Sequence, residues 1–218
     1  MLKGIDISHW NKGVDLSTPK IDFVICKATQ GIRYRDPMLD DYMRFILENG
    51  LLFGFYHFLD SRYEPVKQAE WFVKNIAEYV GFGILVLDFE QEGAFKWGSV
   101  GALEFLNRVY ELTGVRPLIY MNKSDLKKYS WHEVVAQNYG LWLASLTTPQ
   151  FTDITQEVPK DNVSIYPWKV RAIRQYSFKG LLNRVYGKGK VTCDLNIAFM
   201  DVDAWSKYAR RNYGENIF

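Results

Sequence analysis

Six short apolar runs, at 4–10, 21–29, 51–59, 83–90, 116–122 and 141–146, alternate with segments that carry helix punctuation, and this alternation limits the fold more than any total does. Segment 36–50 has Pro37 near its start and Gly50 at its end, and segment 64–81 repeats the arrangement with Pro65 and Gly81. Segment 100–114 carries apolar residues at helical spacing and ends at Gly114. Proline just inside a helix and glycine just past it are the usual boundaries. Strand, helix, strand without a break in composition predicts a parallel sheet with helices outside. Runs that are apolar on both faces suit strands covered on both sides.

After Leu146 the pattern loosens. Residues 147–169 are polar and proline-punctuated, as in a long loop. Segments 170–177 and 190–199 predict two more strands, antiparallel or irregular, and 201–211 a closing helix. Eight strands in this length suggest an α/β chain folded as a small, irregular TIM-like (β/α)-barrel whose last strands lack full helices. A doubly wound open sheet is the alternative. No strand is followed by G-x-G-x-x-G or a P-loop, so nucleotide binding has no support.

The totals exclude more than they select. Lys plus Arg exceed Asp plus Glu by 27 − 25 = 2, too small an excess to argue for nucleic acid. No stretch approaches the ~20 apolar residues of a membrane span. The opening MLKGIDISHW has neither a signal-peptide core nor a transit pattern. Cys26 and Cys193 are far apart in sequence and form no C-x-x-C pair, so two buried free thiols are expected rather than a disulfide or zinc site. The histidines His9, His57 and His132 show no ligand spacing with the acids, and neither metal nor cofactor is expected.

The run 83–90, GILVLDFE, ends in Asp88 and Glu90. In a parallel barrel, functional groups sit at the C-terminal ends of strands. Asp6 on the first strand, Asp88 and Glu90 on the fourth and Asp194 on the last occupy such places. Side chains alternate along a strand, so Asp88 and Glu90 point to one face, roughly 6–7 Å apart. Their repulsion raises the pKa of one or both, so one can stay protonated near neutrality. Glycoside hydrolysis needs that division: one acid protonates the leaving oxygen while another carboxylate stabilises the cationic centre. The bland alternative is a pair of acids capping the next helix. Tyr56 and His57, Tyr120, Trp142, and Gln175 with Tyr176 also fall toward strand ends. Rings and amides suit a sugar site, although any one ring is more often core.

The motifs GIDISHW, FVICKATQG, GFYHF, LVLDFE, LIYMN, LWLAS, RQYS and CDLN occur in the order and approximate spacing of glycoside hydrolase family 25, the Chalaropsis-type lysozymes that include many phage endolysins. The resemblance runs from Gly4 to about Trp205. It implies a barrel of five βα units and three final strands. It also implies N-acetylmuramidase activity, cleaving the β-1,4 bond between N-acetylmuramic acid and N-acetylglucosamine in bacterial peptidoglycan. By motif position, Glu90 is the implied general acid and Asp88 its partner, with Asp6 and Asp194 as further acids. Tyr56, Tyr120, Trp142, Gln175 and Tyr176 match positions that line the cleft. Asp88 is expected to stay charged and orient the substrate's 2-acetamido group while a neutral Glu90 gives its proton.

Three positions depart from the family pattern: Gln30 where Glu is usual, Arg174 where Trp is common, and Leu146 where an aromatic is frequent. They bear on glycan subsite preference. One catalytic domain over 1–218, acting as a monomer, is expected, with no wall-binding repeat after residue 205. Action on the wall would then require holin-type release from a host cytoplasm or a trimmed secreted form. A glycan-binding barrel without catalysis and a chitinase-like hydrolase are the competing readings.

Overall fold

The computed structural model describes residues 1–18 and 20–212, so the last residues of the expected domain, 213–218, lie outside the described residues. In chain order the elements are β1 (Leu2–Ile7), β2 (Phe23–Gln30), β3 (Tyr34–Arg35), α1 (Leu39–Glu48), β4 (Leu52–Phe58), α2 (Pro65–Asn75), β5 (Ile84–Asp88) and α3 (Gln91–Thr113). They continue with β6 (Leu118–Asn122), α4 (Lys123–Lys128), α5 (His132–Ala136), β7 (Gly140–Ala144), β8 (Ile173–Asn183), β9 (Lys190–Ala198) and α6 (Val202–Ala209).

The strands run β1-β9-β8-β7-β6-β5-β4-β2, and β1 pairs back onto β2, which closes the sheet into an eight-stranded barrel. Neighbours from β1–β2 through β7–β8 are parallel, whereas β9 is antiparallel to both β8 and β1. The open doubly wound sheet is thereby excluded. The short β3 is an addition to the expected strands; it pairs with Thr29 and Gln30 of β2 beyond a bulge at Lys27/Thr29.

Period-two alternation sorts the side chains into two cores. Inward positions Phe23, Ile25, Ile84, Val86, Leu118, Trp142 and Ile173 fill the barrel, and α6 closes its floor with Trp205 and Tyr208. Trp205 packs on Phe23 with ring centroids 4.7 Å apart. Outward positions such as Val24, Cys26, Phe55, Leu85, Leu87 and Ile119 form a larger layer under the helices. Helix α1 buries Leu39, Tyr42, Met43 and Ile46, the spacing of one apolar stripe, and places Asp40 and Asp41 in its first turn where the helix dipole favours anions. Each such aliphatic side chain contributes about 1.5–3 kcal/mol by leaving water.

Three elements differ from expectation. Helix α3 begins at Gln91 rather than 100, its two parts divided at Gly98, whose φ of 59° only glycine adopts readily. Helices α4 and α5 were invisible to periodicity because neither contains two full turns. Strand β8 runs on to Asn183, making with β9 a hairpin that extends past the barrel rim. Both cysteines are free and buried, as expected. Among the described residues no helix is long and apolar enough to cross a membrane.

Candidate active site

Above the apolar filling, the inward positions turn polar. Asp6, Lys27, Tyr56, Phe58, Asp88, Glu90, Tyr120, Trp142, Gln175 and Asp194 line one cleft of about 270 Å³ at the barrel mouth. Pairing register brings them level: Phe58 faces Asp88, Asp88 faces Tyr120, Tyr120 faces Trp142, and Asp6 faces Asp194. Asp194 does not sit at a strand's C-terminal end as expected. It reaches the mouth from mid-strand because β9 runs antiparallel.

A directional hydrogen-bond network holds one side of the cleft. The Tyr120 hydroxyl donates to Gln175 Oε1 (2.9 Å), and Gln175 Nε2 donates to Asp6 Oδ2 (3.1 Å) and Asp194 Oδ2 (3.2 Å). Asn196 Nδ2 donates to the same Asp6 oxygen (2.6 Å), while Asn196 Oδ1 accepts from the Trp142 indole N–H (2.9 Å). Each amide thus has its oxygen engaged by a ring donor and its nitrogen aimed at a carboxylate, which assigns its orientation.

The other side is poorer in donors. Asp88 is 9% exposed, and its Oδ1 has no hydrogen-bond partner among the described residues. Glu90 Oε1 accepts from Gln91 Nε2 at 3.1 Å. Burial, with the other carboxylates adding to it, pushes these acids up: Asp6 to about 6 despite its amide donors, and Asp194 to about 8. Asp88 is raised well above the usual carboxylate range by burial and by Glu90, with Lys27 opposing. Glu90 is raised chiefly by burial. Both acids of the pair are thus pushed toward the neutral form, chiefly by burial, which disfavours the anion.

Of the expected cleft rings, Tyr176 is placed elsewhere, and Trp142 lines the cleft largely buried. Tyr176 is fully buried on the outer face of β8, edge-on to Phe151, and does not line the cleft. Alternation along β8 places Ile173 and Gln175 inward and Arg174 and Tyr176 outward. Trp142 reaches the cleft wall but is only 1% exposed, with Tyr120 edge-on to it at 4.9 Å, so its face is closed to a sugar. His57 also points outward, between Thr29 Oγ1 (2.8 Å) and Gln68 Oε1 (3.0 Å), and burial lowers it to about 4.

Of the departing positions, Arg174 does not face the cleft. It is buried behind β8, donates to the Ser145 and Pro159 carbonyls at 2.7 Å and pairs with Asp161 at 3.0 Å, tying down the loop after β7. Leu146 lines an extension of the cleft beside Asn122, Lys123 and Phe178. Gln30 lines another beyond Phe58, next to Asp60 and Arg62.

Sequence reasoning missed Lys27, Asn196 and Trp10. Lys27 continues the inward series Phe23, Ile25, and donates to Gln30 Oε1 at 2.8 Å while lying 4.8 Å over the Phe58 ring. Asn196 follows Asp194 by two, so the same alternation points to it. Trp10, 83% exposed at the rim, sits in the Ser8-capped turn His9–Asn11 and lies tilted against His9 with ring centroids 4.4 Å apart. Among the described residues no cluster of three or more His, Cys, Asp or Glu side chains could hold a metal ion.

The family model for glycosyl hydrolases family 25 matches residues 5–183. The chain is 29% identical over 129 residues to the protein YegX of Escherichia coli (strain K12), a match covering 55% of this chain and 47% of that relative, so it spans about half of that protein's length. It is 30% identical over 141 residues to the N,O-diacetylmuramidase of Chalaropsis sp, covering 56% of this chain and 67% of the relative. The solved family 25 lysozyme of Aspergillus fumigatus superposes with a TM-score of 0.74 at 21% identity, over 96% of this chain and 99% of that one, a likeness of fold.

Proposed function

Because this chain belongs to glycosyl hydrolases family 25, we propose that it is a peptidoglycan hydrolase, an N-acetylmuramidase that cleaves the β-1,4 bond between N-acetylmuramic acid and N-acetylglucosamine. The observation that carries the proposal is the pair Asp88 and Glu90, lining one aromatic-walled cleft with Asp6 and Asp194. Its likeness to a diacetylmuramidase adds support for the glycan. In this reading the chain acts as a monomer on glycan strands of the bacterial cell wall.

Glu90, half-buried and raised by that burial, protonates the leaving oxygen. Asp88 receives the 2-acetamido group of the muramic residue. Its free Oδ1 has no donor until the substrate's N–H arrives, and that hydrogen bond favours the anion that burial disfavours. The acetamide oxygen, so oriented, attacks the anomeric carbon as the bond to the leaving oxygen breaks, and water later opens the resulting oxazolinium ring with overall retention. Asp6, bridged through Gln175 to Asp194, supplies negative charge opposite the developing cation, while Asp194, raised to about 8, stays neutral. Tyr56 and Tyr120 form the walls against which sugar C–H faces pack.

Digestion of purified peptidoglycan, with the new reducing ends identified by mass spectrometry, tests the proposal. Muramic acid ends are expected. Glucosamine ends would make the chain a chitinase-like hydrolase, and binding without product would make it a glycan-binding barrel.

A further inference from the structure

We propose that Lys27 determines specificity in the cleft: its ammonium pairs with the 3-O-lactyl carboxylate of a muramic residue that carries no peptide, so the chain prefers peptide-free glycan. This rests on the muramidase reading above. Among the residues that line the cleft itself, Lys27 is the one cation, beside four carboxylic acids. It is half-buried, and it forms no ion pair among the described residues. An ammonium carries three donors. Lys27 uses one of them, donating to Gln30 Oε1 at 2.8 Å, its single acceptor among the described residues. Gln30, a departure from the family's Glu, supplies a neutral oxygen, so the charge has no counter-ion at contact distance. The rings of Phe58 and Tyr34, 4.8 and 5.5 Å from Nζ, hold the ammonium in place. The other cations near the mouth are placed differently. Arg62 pairs with Asp60 at 2.7 Å, and Lys123 is exposed on the far extension.

The order of groups along the cleft selects the lactyl arm. Phe58 lies level with Asp88 on the neighbouring strand, and Lys27 Nζ sits over its ring, so Lys27 is on the β2–β4 side of Asp88. Glu90 leans to the opposite side, where it lines the extension with Tyr120, Asn122 and Lys123. In the reading above, Glu90 meets the oxygen on C1 and Asp88 the acetamide on C2. The next ring carbon, C3, then falls on the side of Asp88 away from Glu90, which is the side of Lys27. C3 is also where muramic acid differs from glucosamine, because it carries the lactyl ether. In peptide-bearing glycan the lactyl carbonyl is a neutral amide; without the peptide it is a carboxylate, matched to the two unused N–H donors. Hydrogen bonds between charged partners are roughly twice as strong as neutral ones. An N-acetylglucosamine residue offers only a hydroxyl at C3 and leaves the half-buried charge without a counter-ion.

The test compares the full chain with Lys27→Met, Lys27→Arg and Gln30→Glu. The glycans are peptide-free muramic–glucosamine oligomers with a free lactyl carboxylate, the same oligomers with that group converted to its methylamide, and an N-acetylglucosamine oligomer. The parent should cleave the carboxylate form about five- to tenfold better in kcat/KM than the methylamide, chiefly through KM. Lys27→Met should erase that ratio and Lys27→Arg retain it. Gln30→Glu, by pairing with the ammonium, should lower it, and it serves as the test where the Met variant does not fold. Equal rates of the parent on the two muramic forms would overturn the proposal, as would tight binding of the N-acetylglucosamine oligomer. A Lys27→Met variant that loses the same factor on both forms would also overturn it, since the lysine would then act on the mouth acids and not on the substrate. Calorimetric binding to Glu90→Gln separates this proposal from the one it rests on. A carboxylate preference that Lys27→Met removes, with no muramic ends released by the parent, would sink the cleavage reading and keep the contact. Muramic ends released with no such preference would do the reverse.

Discussion

Trp142 donates its indole N–H to Asn196 Oδ1 across the barrel mouth at 2.9 Å, and both residues are buried. This bond fixes which end of the Asn196 amide faces Asp6. The ring that looks like a sugar platform in sequence is therefore a support for an acid.

Trp142→Phe should leave Asn196 Oδ1 buried without a donor, a loss of about 1–3 kcal/mol, whereas truncation to Ala would cost ~3–5 kcal/mol as for any buried ring. Denaturant unfolding measures both. Turnover of the Phe variant should fall through kcat more than KM, since Asp6 loses alignment rather than the glycan losing a contact. A variant with unaltered stability and raised KM would restore Trp142 as a sugar platform.

Glu90→Gln keeps shape and removes the transferable proton. Lytic turnover is expected to drop ~10²–10⁴-fold while sedimentation with sacculi persists. Retention of more than about a tenth of the parent rate would assign the acid elsewhere.

Tyr176→Phe should leave activity unchanged, because the ring is outside the cleft. Its hydroxyl is buried with no partner among the described residues. Removing it should raise stability by up to about 1 kcal/mol, read as a higher denaturation midpoint.

The mouth acids set a pH dependence of stability. Folding raises Asp6 to about 6 and Asp194 to about 8 from the ordinary value of 3.8, so between those values the native state binds more protons than the unfolded chain. Stability must then fall as pH rises through this window. Their contribution is fully present below pH 3.8 and lost by about pH 8. Asp194→Asn should flatten the upper part of the decline in thermal midpoint between pH 6 and 8. A decline as steep as the parent's would mean that Asp194 is not held neutral by the fold.

The sequence alone determined the barrel and the acids, because both are written in local, periodic terms. The strand runs, their helix punctuation and the alternation that aims Asp88 and Glu90 to one face follow from backbone geometry within a few residues. The family motifs add Asp6 and Asp194 without any pairing information. Tertiary structure decided what depends on neighbours from other strands. Antiparallel β9 brings Asp194 opposite Asp6 from mid-strand. Burial pushes both Asp88 and Glu90 up, and Asp88 Oδ1 is left without a donor among the described residues. The bond from Trp142 to Asn196 spans 54 positions. No local pattern encodes such a contact, because its partners meet only when the sheet closes on itself.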